Sequence, residues 1–118
     1  VTGVQTCALP IYPVNERLLS YVSLACYGYS RSSLLAVRLD EADHYLSLYQ
    51  KVDPKNSEWA FMRACYYAQK GNRDDAVKFL KESVRLGEKD PNKIRKEKTL
   101  GNLIQDAEVA TLIQSLEP

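Results

Sequence analysis

Residues 53–87 read DPKNSEWAFMRACYYAQKGNRDDAVKFLKESVRLG, and the reading of this stretch decides the fold. Trp59, Met62, Tyr66 and Tyr67 on one side of Gly71, and Ala76, Phe79, Leu80 and Leu86 on the other, recur at helical spacing. Gly71 can take the positive φ that ends a helix, and Pro54 cannot continue a preceding helix but can stand just ahead of the next one. The stretch therefore predicts helix, turn, helix. Its second half is also found upstream. RLDEADHYLSLYQKVDP lies over NRDDAVKFLKESVRLGE at a shift of 34 residues (76 minus 42), which places Ala42 on Ala76, Tyr45 on Phe79, Leu46 on Leu80 and Val52 on Leu86. Leu18, Val22, Ala25, Tyr29 and Ala36 form the apolar stripe of a helix ahead of the first copy. One long helix from about Asn15 to Ala36 is expected, with a break at Gly28 as the alternative. The fold class is all-α, a pair of helical hairpins.

A 34-residue helical hairpin is the period of the tetratricopeptide repeat. The second copy resembles that family through Asp53-Pro54, small Ala64, aromatic Tyr67, turn Gly71, small Ala76 and bulky Leu80. It departs from the pattern at Trp59, one residue before the usual tryptophan site held here by Ala60, at Arg63 for a leucine, and at Glu88 for a closing proline. The first copy is looser, with Val37 for the turn glycine and Ser30 and Ser33 in the small and aromatic places. The resemblance covers about Ser23 to Leu86. After it, Asp90 with Pro91, and then Asp106, announce two short helices, the last bearing Val109, Leu112, Ile113 and Leu116. An open stack needs such an end, because the last repeat would otherwise expose apolar side chains. The tail is similar to the endings of many bacterial proteins of this family, and a bacterial source is expected. The chain divides into 12–88, two hairpins, and 89–118, capping helices.

The family resemblance implies a right-handed stack with a concave groove that binds a peptide or protein. By that resemblance the groove would carry Tyr27, Arg31 and Leu34 from the first copy and Glu58, Phe61, Met62, Cys65 and Gln69 from the second. Phe61 would be its aromatic anchor, while Tyr67 would fill the space between paired helices. The asparagine and lysine set with which some members clamp a chaperone's C-terminal carboxylate is absent, Tyr27, Arg31 and Cys65 standing in that region. Chaperone-tail binding is therefore not expected.

Sixteen Lys and Arg against 15 Asp and Glu leave a net charge of +1, which argues against a strongly electrostatic partner such as duplex DNA or an anionic membrane. The basic run KIRKEK at 93–98 lacks interleaved aromatics and reads as a solvated charge run. No apolar stretch is long enough for a membrane helix, so no membrane insertion is expected. Catalytic equipment is sparse. His44, the lone histidine, sits among Asp40, Glu41 and Asp43 with no fixed partner, Cys65 has only Ala64 and Tyr66 beside it, and Asp74 and Asp75 read as an acidic helix start. No metal spacing or phosphate loop occurs, and no cofactor is expected. The expected function is a non-catalytic interaction scaffold. The alternative is the C-terminal repeat module of a larger enzyme or secreted protein.

Residues 1–11, VTGVQTCALPI, carry no charge, periodicity or cap. Written back into codons they resemble a sequencing-library adapter read in frame, as in a metagenomic fragment, and they are expected to lie outside the fold. If repeats once preceded Tyr12, the first helix would expose Leu18, Leu19 or Val22, and self-association through that edge is expected.

Overall fold

The computed structural model describes residues 13–118, with side-chain environments from Glu16 onward; the expectation for residues 1–11 lies outside the described residues. The chain is all-α: α1 Pro13–Leu35, α2 Leu39–Val52, α3 Ser57–Gln69, α4 Arg73–Arg85, α5 Pro91–Lys96, a 3-10 turn Lys98–Leu100, and α6 Ala107–Ser115. No strand occurs among the described residues. The expected long first helix runs unbroken through Gly28, whose missing Cβ would meet nothing within 4 Å. Its glycine faces open space, so the helix loses propensity there but no packing.

The 34-residue offset seen in sequence recurs in the backbone. α1 ends at Leu35 and α3 at Gln69, while α2 begins at Leu39 and α4 at Arg73. Both turns use the same paired bonds: the N–H of Val37 and of Arg38 donate to the carbonyls of Leu34 (3.1 Å) and Ser33 (2.8 Å). One repeat later, Gly71 and Asn72 donate to Ala68 (3.1 Å) and Tyr67 (2.9 Å). This is the Schellman closure, which needs a left-handed residue after the helix. Gly71 supplies it at φ 77°, and Val37 is forced into it at φ 56°. Gly87 closes α4 in the same way, at φ 122°.

Burial repeats as well. Ala42 and Ala76, Leu46 and Leu80, and Ser30 and Ala64 are all completely buried, one pair after another at the same offset. The small residues let paired helices approach, and the leucines fill the seam. α3 packs chiefly on α4, α1 chiefly on α2, and α2 and α1 both touch α3, so the hairpins stack in chain order. In the second hairpin Tyr67 stacks on Phe79, with ring centres 5.5 Å apart. In the first, Ser33 leaves no ring at the matching place, and Tyr45 stacks instead on Tyr29, one helical turn back, at 5.1 Å. This arrangement is compatible with a helical repeat.

Arg63, the residue out of pattern, is buried yet fully engaged. Its guanidinium donates to the Asp43 carboxylate (2.7 Å) and Ser47 Oγ (3.1 Å) on α2, and lies 5.0 Å from the Tyr66 ring centre. A leucine would have packed there, whereas the arginine ties the two hairpins with charge-assisted bonds. Trp59 is also buried, its indole N–H donating to the Pro54 carbonyl at 3.0 Å.

The tail fastens to the second hairpin. Ile94, Leu100, Val109 and Ile113 are buried, the 3-10 turn packs on α3, and α6 packs on α4 and α5. Asp90 and Asp106 accept from the N–H groups of Asn92 (2.9 Å) and Glu108 (3.0 Å), the two caps expected of them. Arg73 at the start of α4 reaches both oxygens of Asp106 at 2.7 Å and Glu108 at 2.8 Å, and Lys81 takes the other Glu108 oxygen at 2.8 Å. These bonds hold Arg73 above the usual guanidinium range and the Asp106 and Glu108 carboxyls below theirs.

Candidate functional site

α1 and α3, the first helices of the two hairpins, face one open cavity of about 660 Å³, a size that ordinary ligand sites share. All eight residues that the family resemblance assigned to a groove line it: Tyr27, Arg31 and Leu34 from α1, and Glu58, Phe61, Met62, Cys65 and Gln69 from α3. The reason is geometric. Phe61, Cys65 and Gln69 follow one another at four-residue steps, as do Tyr27 and Arg31, and residues so spaced share a helical face. Leu35 and Val37 also line the space, as does a third wall that sequence reasoning did not foresee: Lys93, Lys96, Glu97, Lys98 and Thr99 from the tail.

That wall corrects the reading of residues 93–98 as a solvated charge run. Lys93 is partly buried, with its ammonium ion-paired to Glu58 of α3 and to Glu88 (2.8 Å) and standing 4.7 Å from the Phe61 ring centre. Burial works against its charge, but the two carboxylates outweigh that cost and raise its pKa above the ordinary lysine value. Ile94 is fully buried and Arg95 is ion-paired with Glu117. Lys96 and Lys98 are exposed, as a solvated run requires.

Phe61 is corrected too. With Lys93 above it, it is only 4% exposed, whereas Tyr67, expected to be the deeper of the two, is half-buried against Phe79. Phe61 therefore forms part of the cavity floor and of the core at once. Met62, Leu34 and Cys65 are buried beside it. The surfaces an incoming molecule meets first are Arg31, Leu35, Lys96 and Lys98, all exposed, with Leu35 at 73%.

The polar groups are set by structural bonds. Gln69 donates through Nε2 to the Leu34 carbonyl (3.0 Å), which also accepts from the Val37 N–H of the α1 turn, while its Oε1 is buried with no partner. Glu97 accepts from the N–H (3.4 Å) and hydroxyl (3.1 Å) of Thr99 and caps the 3-10 turn. Burial pushes the Cys65 thiol up to about 12, a hydrogen bond with Thr99 pulling the other way, so it is held protonated and is a poor nucleophile. His44 is exposed on α2, away from the cavity, and Asp74 and Asp75 sit in the first turn of α4. No group of three or more His, Cys, Asp or Glu that could hold a metal occurs among the described residues. Among those residues no helix is long and apolar enough to cross a membrane. No protein-family model, curated protein or solved structure matches the chain.

Proposed function

We propose that this chain is a non-catalytic interaction module of the tetratricopeptide-repeat kind, which binds a peptide or a protein segment in the groove between α1, α3 and the tail. One observation carries the reading: the eight residues that the resemblance to the repeat family assigns to a groove line a single open cavity. Its apolar floor of Leu34, Met62 and Cys65 is rigid because each of these side chains is also packed in the core. A pre-formed surface of this kind orders few groups on binding and so costs little entropy. The protonated Cys65 and the remote His44 offer no activated nucleophile or base at the groove, which favours binding over chemistry.

The test is selection of random displayed peptides on the immobilised protein, followed by affinity measurement on two variants. Leu35→Gln removes an apolar contact at an exposed cavity position without touching the core or the charge balance, and should weaken selected peptides about tenfold. Leu48→Gln, an exposed α2 position outside the cavity, should leave them unchanged. Equal loss in both, or in neither, rules the groove out.

A further inference from the structure

The cavity's charges are not symmetrically satisfied. Its two carboxylates are engaged within the chain, Glu58 by Lys93 and Glu97 by Thr99. Three cations at its rim are not: Arg31 on α1, and Lys96 and Lys98 at the end of α5 and the start of the 3-10 turn, are exposed and in no ion pair among the described residues. They stand on two separate walls of one concave space whose floor is apolar. Walls of low dielectric strengthen the field of such charges over the floor between them.

We infer that the groove's occupant is an acidic amphipathic peptide segment, with an apolar side chain on Leu34, Met62 and Cys65 and carboxylates toward Arg31, Lys96 and Lys98. The inference rests on the peptide-binding reading and gives it a chemistry. A lysine-rich segment would meet the three cations with no carboxylate free to answer it. A small inorganic anion would leave the apolar floor unused. Single-stranded nucleic acid would need a series of open rings for its bases, and the cavity offers only the half-buried Tyr27, Phe61 lying beneath Lys93. The cations differ from those of a clamp for a chain's terminal carboxylate, because two of the three come from the tail that follows the second hairpin.

The experiment sequences the peptides selected on the whole chain. A labelled winner is then compared by fluorescence anisotropy with its counterpart in which Asn and Gln replace Asp and Glu. Winners should combine acidic residues with an aromatic or aliphatic one. At low salt the amide counterpart should bind about tenfold more weakly, and the gap should shrink to about threefold near 0.5 M salt, where the Debye length falls to about 4 Å. Arg31→Gln and Lys98→Gln, folded by circular dichroism, should each narrow the gap while leaving the amide peptide's affinity within about twofold. Neutral or basic winners that Leu35→Gln still weakens about tenfold would overturn the acidic preference and leave the groove standing. Winners indifferent to Leu35→Gln, or no winners, would overturn the groove and the preference with it. Polyuridylate bound as tightly as the acidic peptide would replace the peptide with a general polyanion.

Discussion

Val37 occupies the left-handed closing position of the α1 turn, at φ 56°, where Gly71 does the same work one repeat later at φ 77°. A β-branched side chain there crowds the following carbonyl, a conformation that costs roughly 1–3 kcal/mol. Val37→Gly removes that strain. It gives back part of the gain, because glycine loses about 0.5–1 kcal/mol more backbone freedom on folding. The valine side chain is 62% exposed, so the apolar burial lost is small, about 0.5 kcal/mol. The net expectation is stabilisation of about 1 kcal/mol, which in a domain near this size raises the melting temperature by roughly 4 °C. In the mirror substitution, Gly71→Val, the added Cβ meets no atom within 4 Å, and backbone strain at φ 77° should still destabilise by about 1–3 kcal/mol. Thermal melts followed by circular dichroism measure both. If Val37→Gly leaves the melting temperature unchanged or lowers it while Gly71→Val costs the expected amount, the strain assigned to Val37 is absent and the reasoning fails.

Three further outcomes follow from the packing and the charges. Phe61→Ala should cost about 3–5 kcal/mol of folding stability and Tyr67→Ala, half-buried, less; urea melts that reverse this order would return Phe61 to the groove surface. The Asp106 and Glu108 carboxyls have folded pKa values below their ordinary ones, so their contribution is fully present above about pH 4–5, where the unfolded groups are ionised, and is lost as pH falls through the folded values. Arg73→Gln should therefore flatten the fall in stability on acidification below that range, and an unchanged acid limb would deny Arg73 its role. Leu18, Leu19, Tyr21, Val22 and Leu24 are all exposed on α1, so concentration-dependent association is expected in sedimentation, and Leu18→Glu with Val22→Glu should abolish it. A strict monomer at high concentration contradicts that edge.

The second helix of each hairpin was legible because its signal is local and repeated: Ala42 and Ala76, and Leu46 and Leu80, carry one register that both sequence and burial display. That Phe61, Cys65 and Gln69 share one face of α3 was legible for the same reason, since a helical face is fixed by four-residue spacing; that the face borders a concave space was an expectation from the family resemblance. The tail wall was not. Lys93 meets Glu58 across 35 residues of chain, and no periodicity links a short irregular tail to a helix so far upstream. For the same reason Phe61 read as a surface anchor, because the side chain covering it comes from that tail. The signal that could have found it was Ile94, an apolar residue amid lysines, which requires the segment to turn one face inward. Val37 hid its turn conformation behind a residue type that rarely adopts it, and only the offset to Gly71 disclosed the position. Arg63 read as a departure; its partners Asp43 and Ser47 lie on another helix, beyond the reach of local pattern.

The central claim, that the face shared by α1, α3 and the tail receives a peptide, is tested most directly by backbone amide shifts of the labelled protein during titration with a selected peptide. The account predicts the largest changes at Arg31, Leu35, Met62, Gln69, Lys98 and Thr99, converging on one saturation curve, with α4 near Lys81 and α6 near Glu108 unmoved. Saturable changes confined to the exposed α1 positions around Leu18 and Val22, or to the Arg73–Glu108 face, with the cavity residues unshifted, would contradict it.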